Sequence, residues 1–344
     1  MLELVTKPTT PTNYGDMAAA YEAVRGEGAG LCDLSAARGR LRVSGLEAVM
    51  FLNGLITNDM KTLPDGAWMK AAFPNAQGRL LAFARVLRQG DNFWLDTEAA
   101  TAAKVAQIVG RFVFAGDFRV ADETNSTVHF AVAGTEAAHL VSKVLGAQAA
   151  CVTHGNSCVL EWQGVSVTVL RFQHTGTDGF DCIADAAHGP ALWAALQAAG
   201  AQRIGAETFE TLRLEAGIPR YGVDVDENTI VLETGQDEAV SYTKGCYIGQ
   251  EIIARIHWRG HVAKRLAGIQ CAGRANIKPD DEIRAPEGQV VGRVTSATFS
   301  PQLGCAIALG FVRYAHLAPE TAIEIVTADG NVPARIVELP FVRQ

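Results

Sequence analysis

A change of pattern near residue 262 constrains the fold of this chain more than any other feature. Before it, apolar residues recur at helical spacing, as over 48–55, where they lie at i, i+3, i+4 and i+7. After it the helical pattern disappears, and short apolar runs are separated by Gly, Pro and Asp at 262–270, 289–298, 305–313, 322–327 and 332–338. Such runs are typical of a small all-β barrel. We therefore predict two regions, 1–262 and 263–344, with a C-terminal β-barrel in the second.

The first region mixes helices with strands. Apolar runs over 79–88 and 93–95 flank a Gln-Gly-Asp-Asn turn and predict a hairpin. Between about 125 and 200, the order strand, helix, strand, strand, strand, helix predicts a split α+β unit. A further helix is predicted over 207–216, because Gly217 and Pro219 follow it in the order expected at a helix end. The expected fold class is α+β.

Composition excludes several classes of function. The 30 basic and 37 acidic residues give a net charge of −7, and no basic stripe is present, so we expect no direct nucleic-acid footprint. The start, Met1–Pro8, lacks the apolar run of a signal peptide, and no uncharged apolar window is long enough to span a membrane. We therefore expect a cytoplasmic protein. The seven scattered cysteines argue against a disulfide framework or a structural zinc site.

The most informative segment is 244–251, Lys-Gly-Cys-Tyr-Ile-Gly-Gln-Glu, which we call the Cys246 segment. Lys244 lies two residues before the thiol, and the apolar spacing after it predicts that a helix starts nearby. A nearby ammonium and a helix N-terminus both stabilise a thiolate. We predict that Cys246 is a reactive thiol assisted by Lys244. The alternative is a buried cysteine in a structural turn.

Two other segments carry candidate binding residues. Arg213 lies near the end of the helix predicted over 207–216, where its guanidinium can fork onto a carboxylate or a ring edge. Asp181 follows the Gly-rich turn 175–179 at the start of a strand, where it can accept two N–H donors from a pterin-like edge. The alternatives are a solvated arginine and a turn carboxylate that binds its own backbone.

A metal site is not predicted. His257 and His261 are four residues apart and would share one face of a helix, but Gly260 weakens that helix and no third ligand is evident. The sequence also lacks a phosphate-binding P-loop motif and the nucleophile elbow of hydrolases.

The Cys246 segment resembles the signature of YgfZ-type proteins, Lys-Gly-Cys-aromatic-x-Gly-Gln-Glu. The likeness continues in order at 31–35, 51–59, 77–81 and 212–217 and in the β-rich tail, so that it covers nearly the whole chain. These proteins belong to the superfamily of the glycine-cleavage T-protein. The resemblance implies interleaved α+β folate-binding subdomains around a central channel, a small C-terminal β-barrel, and tetrahydrofolate or a derivative as the cofactor.

The resemblance also implies roles for particular residues. It places Arg213 and Asp181 in contact with folate, although the family often has Glu where Asp181 stands. It likewise places the remaining polar and aromatic residues of the Cys246 segment, Tyr247, Gln250 and Glu251, at the folate site.

One departure separates this chain from the T-protein. The T-protein keeps an aspartate a few residues after an Asn-x-x-Gly stretch, whereas Asn75–Gly78 is followed here by Ala82 and Phe83. Neither side chain can move a proton, and a positioned acid–base group is typically worth about 10²–10⁴-fold in rate. The absence argues against T-protein chemistry but not against folate binding.

Three functional hypotheses remain. The first is a folate-binding YgfZ-like factor that supports iron–sulfur cluster assembly or repair and cluster-dependent enzymes, including tRNA modification, through its reactive cysteine. Its expected partners are folate and iron–sulfur assembly proteins or cluster enzymes. The alternative is a tetrahydrofolate-dependent aminomethyl- or methyltransferase. The third is a non-catalytic scaffold that has lost folate and binds a protein partner.

Overall fold

Two mixed sheets with flanking helices and one closed β-barrel form the fold of this computed structural model, which describes residues 10–114 and 116–343. The predicted α+β class with a C-terminal barrel is confirmed. Met1–Pro8, from which we expect no signal peptide, lies outside the described residues. Within the described ranges, no helix has the length and apolar character needed to cross a membrane.

The described helices are short. The α-helices are α1 Met17–Arg25, α2 Ala48–Leu55, α3 Ala99–Gly110, α4 Ala137–Leu145, α5 Ala147–Ala150, α6 Gly189–Ala199, α7 Ala206–Glu215 and α8 Gln250–Arg259. Short 3₁₀ helices lie at Ala186–His188, Val231–Thr234, Asp237–Ala239 and Tyr314–His316.

The strands fall into three groups along the chain. The first six are β1 Gly30–Asp33, β2 Arg38–Ser44, β3 Trp68–Pro74, β4 Leu80–Gln89, β5 Asn92–Glu98 and β6 Arg119–Asp122. The next five are β7 Thr127–Ala133, β8 Ser157–Trp162, β9 Val165–Arg171, β10 Gly179–Asp185 and β11 Gln202–Arg203. The last six are β12 Lys264–Cys271, β13 Glu282–Arg284, β14 Val290–Ser300, β15 Cys305–Arg313, β16 Ala322–Thr327 and β17 Gly330–Val337.

The first two sheets are interleaved along the chain. One has the order β11-β1-β7-β10-β9-β8, and the other has the order β3-β4-β5-β2-β6. The chain therefore begins in the first sheet with β1, builds the whole second sheet, and returns with β7. Strand pairing is antiparallel except between β1 and β11. This path brings residues from distant parts of the sequence to the space between the two sheets.

Each sheet buries one apolar face under helices. Leu140, Leu192 and Leu196 of α4 and α6 pack on the first sheet, and Leu52 and Val105 of α2 and α3 pack on the second. These positions repeat at helical spacing, which gives each helix one apolar stripe directed at its sheet. The helices therefore cover the outer faces, and the inner faces remain available to line a site.

The barrel closes in the order β12-β15-β14-β13-β16-β17. The sequence predicts five of its six strands to within a few residues. It misses β13, because Glu282–Arg284 is three residues long and offers a single inward apolar residue, Ile283. The helix predicted over 48–55 is α2, and the elements from β7 to α6 run strand, two short helices, three strands and a helix.

Helix α7 joins the first region to the barrel. Its last residue, Glu215, is fully buried and accepts hydrogen bonds from the Tyr21 hydroxyl at 2.7 Å, from Arg25 Nη2 at 2.6 Å and from Ser300 Oγ of β14 at 2.5 Å. A buried carboxylate is stable only when its oxygens are satisfied in this way. The arrangement fixes α7, and hence Arg213, between α1 and the barrel.

Candidate functional site

A cavity lies where the inner faces of the two sheets meet α7 and the loop 218–221. Its walls are strongly aromatic, with Phe83, Phe172, Phe209 and Tyr221. Its cationic lining consists of Arg38, Lys70, Arg85, Arg213 and Arg220. Cavities that combine apolar walls with a few convergent polar groups are the usual form of small-molecule sites.

Strand β4 carries Ala82 and Phe83, which stand where the T-protein pattern has an aspartate. Ala82 is buried in the apolar core beneath α2, whereas Phe83 lines the cavity and packs near Tyr221. Glu98 is a carboxylate in the cavity wall, but its Oε1 accepts from Arg38 Nη1 at 2.7 Å. The strand therefore presents an aromatic ring where the T-protein pattern has an acid.

Arg213 lies in the cavity wall, as a folate-binding role requires, but its donors are taken by the protein. It forms a fork with Glu210 at 3.1 and 2.5 Å, and its Nη1 donates to Asp224 Oδ2 at 2.8 Å. Further bonds go to the Ile218 carbonyl and, at 3.5 Å, to Ser296 Oγ of β14. The guanidinium is therefore a buried cross-link between α7, the following loop and the barrel, in contrast to the free fork expected from the sequence.

Asp181 is also buried completely and does not line the cavity itself. Nε2 of His174 lies 2.8 Å from its Oδ1, Nε2 of His129 lies 3.1 Å from its Oδ2, and Arg85 Nη1 donates to Oδ2 at 2.5 Å. Two of these partners, His174 and Arg85, line the cavity. The structure therefore places Asp181 behind the wall, where it holds residues that face the cavity.

Arg85 extends this arrangement to the second sheet. It also donates to Asp96 Oδ2 at 2.5 Å, and Asp96 in turn pairs with Arg38 at 2.9 Å. We call the six side chains Arg38, Arg85, Asp96, His129, His174 and Asp181 the buried polar network. Burial alone would raise the pKa of both aspartates. The neighbouring arginines and histidines override it and hold each aspartate pKa well below its usual range.

Lys244 does not act on the thiol of Cys246. It is buried, and its ammonium donates to the carbonyls of Asn53, Ile56 and Asn58 at 2.7, 2.8 and 2.7 Å. These carbonyls lie at and just beyond the C-terminal end of α2, where a cation is stabilised by unpaired carbonyl dipoles. Burial lowers the pKa of Lys244 to about 8. The predicted activation of the thiol by Lys244 has no contact to support it among the described residues.

The remaining residues of the Cys246 segment also lie outside the cavity wall. Cys246 is exposed, Tyr247 is buried in an apolar cluster, Gln250 is partly buried at the start of α8, and Glu251 is exposed. The prediction joined Tyr247, Gln250 and Glu251 with Arg213 in one folate site. The structure instead separates the two groups, because this segment packs against the turn 75–78 and α2.

Gly249 fixes that packing. Its φ is +80°, and a Cβ built there would lie 2.4 Å from the Asn75 carbonyl oxygen, so the position accepts glycine only. Gly78, φ +71°, lies in close contact with the same glycine and with Ile252. The turn that resembles the T-protein's Asn-x-x-Gly stretch is therefore covered by the Cys246 segment.

Sequence reasoning missed the histidines and arginines of the buried polar network. His129 and Arg85 each interrupt an apolar strand at an inward position, and polar residues at such positions are the signal that could have found them. His174 stands just before the Gly-rich turn that was singled out. Their meeting could not be read from the sequence, because β4, β7 and β10 belong to two interleaved sheets.

A metal site can be judged on the same geometry. Within the described parts of the chain, the group of His, Cys, Asp or Glu close enough to hold an ion is His129, His174 and Asp181, whose ligand atoms lie within 4.8 Å of one another. His257 and His261 are not in this group, and they stack on Tyr242 and Tyr314 with ring centroids 3.6 and 3.9 Å apart.

The fold therefore has three parts, two interleaved α+β subdomains with a cavity between their sheets and a C-terminal β-barrel. A family model for the GCVT N-terminal domain matches residues 7–244, and one for the glycine cleavage T-protein C-terminal barrel domain matches residues 264–343. The chain belongs to the glycine cleavage T-protein family. The placement in the broader superfamily is thereby confirmed, while the YgfZ-type subfamily stays a prediction.

Two curated relatives and one solved structure extend the comparison. An aminomethyltransferase of Rubrobacter xylanophilus is 34% identical over 97% of this chain and 88% of its own length. An aminomethyltransferase of Nostoc sp. is 30% identical over 97% of this chain and 89% of its own length. The crystal structure of glycine cleavage system aminomethyltransferase T from Bartonella henselae gives a TM-score of 0.88 over 97% of this chain and 92% of that one. At 23% identity, this last likeness supports the fold.

Proposed function

We propose that the chain binds tetrahydrofolate or a derivative in the cavity and uses it in the transfer of a one-carbon group. The aromatic walls suit the flat rings of a reduced folate. Lys70 and Arg220 are partly exposed, with 24% and 42% of their side chains accessible, and pair with Glu238 and Glu210. The carboxylates of the folate tail would share these two cations with the glutamates. The observation that carries the proposal is this combination in a family whose members named above are aminomethyltransferases.

Binding at the cavity can be tested with two matched substitutions. Ala206 is exposed and lines the cavity at the start of α7, so Ala206→Trp should fill the site without disturbing the core. Ala194→Trp places the same side chain on the exposed face of α6, away from the cavity. Isothermal titration with tetrahydrofolate should show at least a tenfold weaker affinity for the first variant and no change for the second. Equal binding by both variants would place the folate elsewhere.

Transfer chemistry needs its own experiment, because binding does not establish it. Purified protein is incubated with tetrahydrofolate and aminomethyl or methylamine donors, and methylene- or methyl-tetrahydrofolate is measured by mass. Product formed by the wild type and lost in Ala206→Trp supports the transferase. Folate binding without any product would favour the second candidate.

The second candidate is a folate-dependent factor that supports iron–sulfur proteins through Cys246, with cytoplasm as its predicted compartment. The observations that favour it are the exposed thiol outside the cavity wall and the absence of a carboxylate at Ala82 and Phe83. In a strain that lacks the native gene, Cys246→Ala should then fail to restore cluster-dependent enzymes, including those that modify tRNA. Cys151→Ala, which removes another exposed thiol, serves as the control. Full activity with Cys246→Ala would exclude this role.

A further inference from the structure

Nε2 of His174 is bound to Asp181, whereas Nδ1, on the other side of the ring, has no partner among the described residues. Its Nε2 lies 2.8 and 3.1 Å from the two oxygens of Asp181, while the side chain lines the cavity with 13% of its surface accessible. None of the described residues forms a hydrogen bond with its Nδ1. The ring is wedged between Phe172 and Phe209, with centroids at 4.5 and 5.6 Å. Its orientation is therefore set by packing as well as by the carboxylate.

The proton positions follow from the charge of Asp181. Arg85 and both histidines keep this aspartate ionised, so that its oxygens can only accept hydrogen bonds. His174 must then donate from Nε2. In neutral His174 the remaining nitrogen, Nδ1, carries the lone pair. The same logic fixes the tautomer of a histidine paired with a carboxylate in hydrolases.

Charge balance favours a proton over a metal ion at this cluster. Arg85 already neutralises Asp181 at 2.5 Å, and Arg38 is paired with Asp96 and Glu98. A divalent cation on His129, His174 and Asp181 would bring two more positive charges beside the Arg85 guanidinium, and Asp96, the other carboxylate of the buried polar network, already pairs with Arg85 and Arg38. One additional proton on His174 brings a single charge next to Asp181. The cluster is therefore suited to accept a proton from the cavity.

We propose that His174 is the proton acceptor of the cavity and that Asp181 positions it. A protonated nitrogen of the bound ligand, such as a protonated amine, gives its proton to Nδ1. The N–H bond of the ligand breaks, its electron pair stays on the ligand nitrogen, and an Nδ1–H bond forms. The resulting imidazolium is stabilised by Asp181, and the role rests on the proposed binding of folate.

Burial is the largest influence on His174, and it lowers the pKa of the ring, with further lowering from Arg85 and His129 and opposition from Asp181. Neutral His174 is therefore the form present near pH 7. A ligand that needs neutral Nδ1 should bind about tenfold more weakly for each pH unit below the pKa of the free protein's His174. Above that pKa the affinity should not change.

The test measures tetrahydrofolate affinity from pH 5 to pH 8.5 by isothermal titration in the wild type, His174→Gln and His139→Gln. His139 is an exposed histidine on α4 and provides the matched control. The wild type and the control should lose affinity at low pH, and His174→Gln should bind with a flat profile. An unchanged profile in His174→Gln overturns the inference while folate binding stands. Absence of binding by the wild type at every pH overturns the proposed function with it.

A measurement on the wild type guards against a variant that fails to fold. Nitrogen-15 imidazole resonances of the ligand-free protein should show His174 neutral at pH 7 with its proton on Nε2. In Asp181→Asn, which retains an acceptor oxygen but loses the charge, the pKa of His174 should fall further. A His174 protonated on Nδ1 in the wild type would contradict the inference directly.

Discussion

Two short motifs each contain one cation, Arg213 in the α7 motif (212–217) and Lys244 in the Cys246 segment (244–251). The structure uses the two cations differently. In the α7 motif, Arg213 and Glu215 are buried and bind partners from the loop, α1 and the barrel. In the Cys246 segment the cation is also buried, but it binds backbone carbonyls of α2, and the thiol is left exposed. The first motif therefore joins the first region to the barrel, and the second leaves a thiol exposed at the surface.

The two motifs differ in whether their polar side chains already have partners within the protein. Protein acceptors satisfy all donors of the Arg213 side chain, so its replacement should mainly lower the stability of the protein. The side chain of Cys246 is exposed, so its replacement should leave the stability of the protein unchanged and affect only its function. Lys244 resembles Arg213, because its ammonium is also bound by protein acceptors. Its position in the sequence had predicted that it would act on the Cys246 thiol.

The largest effect is expected for Arg213→Ala. The change leaves Asp224, which is 2% exposed, without its cation, and it leaves Glu210 paired with Arg220 alone. Breaking a buried ion pair by removing one partner costs about 3–5 kcal/mol. Urea denaturation should show this loss, whereas the exposed Arg259→Ala should change the free energy of unfolding by less than about 0.5 kcal/mol. A loss below about 1 kcal/mol would contradict the cross-linking role.

The two glycines of the Cys246 segment give the next effect. Gly249→Ala forces a side chain into the left-handed region and against the Asn75 carbonyl, which should cost about 2–3 kcal/mol. Gly245→Ala is the control, because its φ is not positive and a Cβ there meets nothing within 4 Å. Thermal or urea unfolding of the pair separates them. Equal stability would mean that the segment is not fixed against the turn 75–78.

Helix α7 shows how far the sequence leads. The predicted range 207–216 differs from the observed Ala206–Glu215 by one residue at each end, because apolar spacing and the Gly217–Pro219 ending are local signals. The partners of Arg213 are not local, since Ser296 lies 83 residues further along. Likewise, Arg85 and Asp181 are 96 residues apart. Strand alternation identifies which residues are buried, but the interleaving of the two sheets decides which of them meet.

The buried polar network should be sensitive to acid. The pKa of Asp96 and of Asp181 is held below the value of about 3.9 expected in the unfolded chain. Their stabilisation is therefore complete above about pH 5 and is lost as the pH falls, with a slope of up to about 1.4 kcal/mol per pH unit for each group. Asp181→Asn should reduce the slope by about that amount between pH 3.5 and 2.5. Unfolding curves with the same slope as the wild type would contradict this.

The smallest effect on stability belongs to Cys246. Because the side chain is exposed, Cys246→Ser should change the free energy of unfolding by less than about 0.5 kcal/mol.

The reactivity of the Cys246 thiol is the sharper measurement, and Cys151, which is also exposed, is the internal standard. Iodoacetamide labelling followed by peptide mass analysis should modify both thiols before buried Cys32 and Cys182, whose pKa is raised by burial. A faster rate at Cys246 than at Cys151 would show activation by its backbone position just before α8, since Lys244 is occupied by carbonyls. Equal rates would leave Cys246 an ordinary surface thiol and remove the chemical basis of the iron–sulfur candidate.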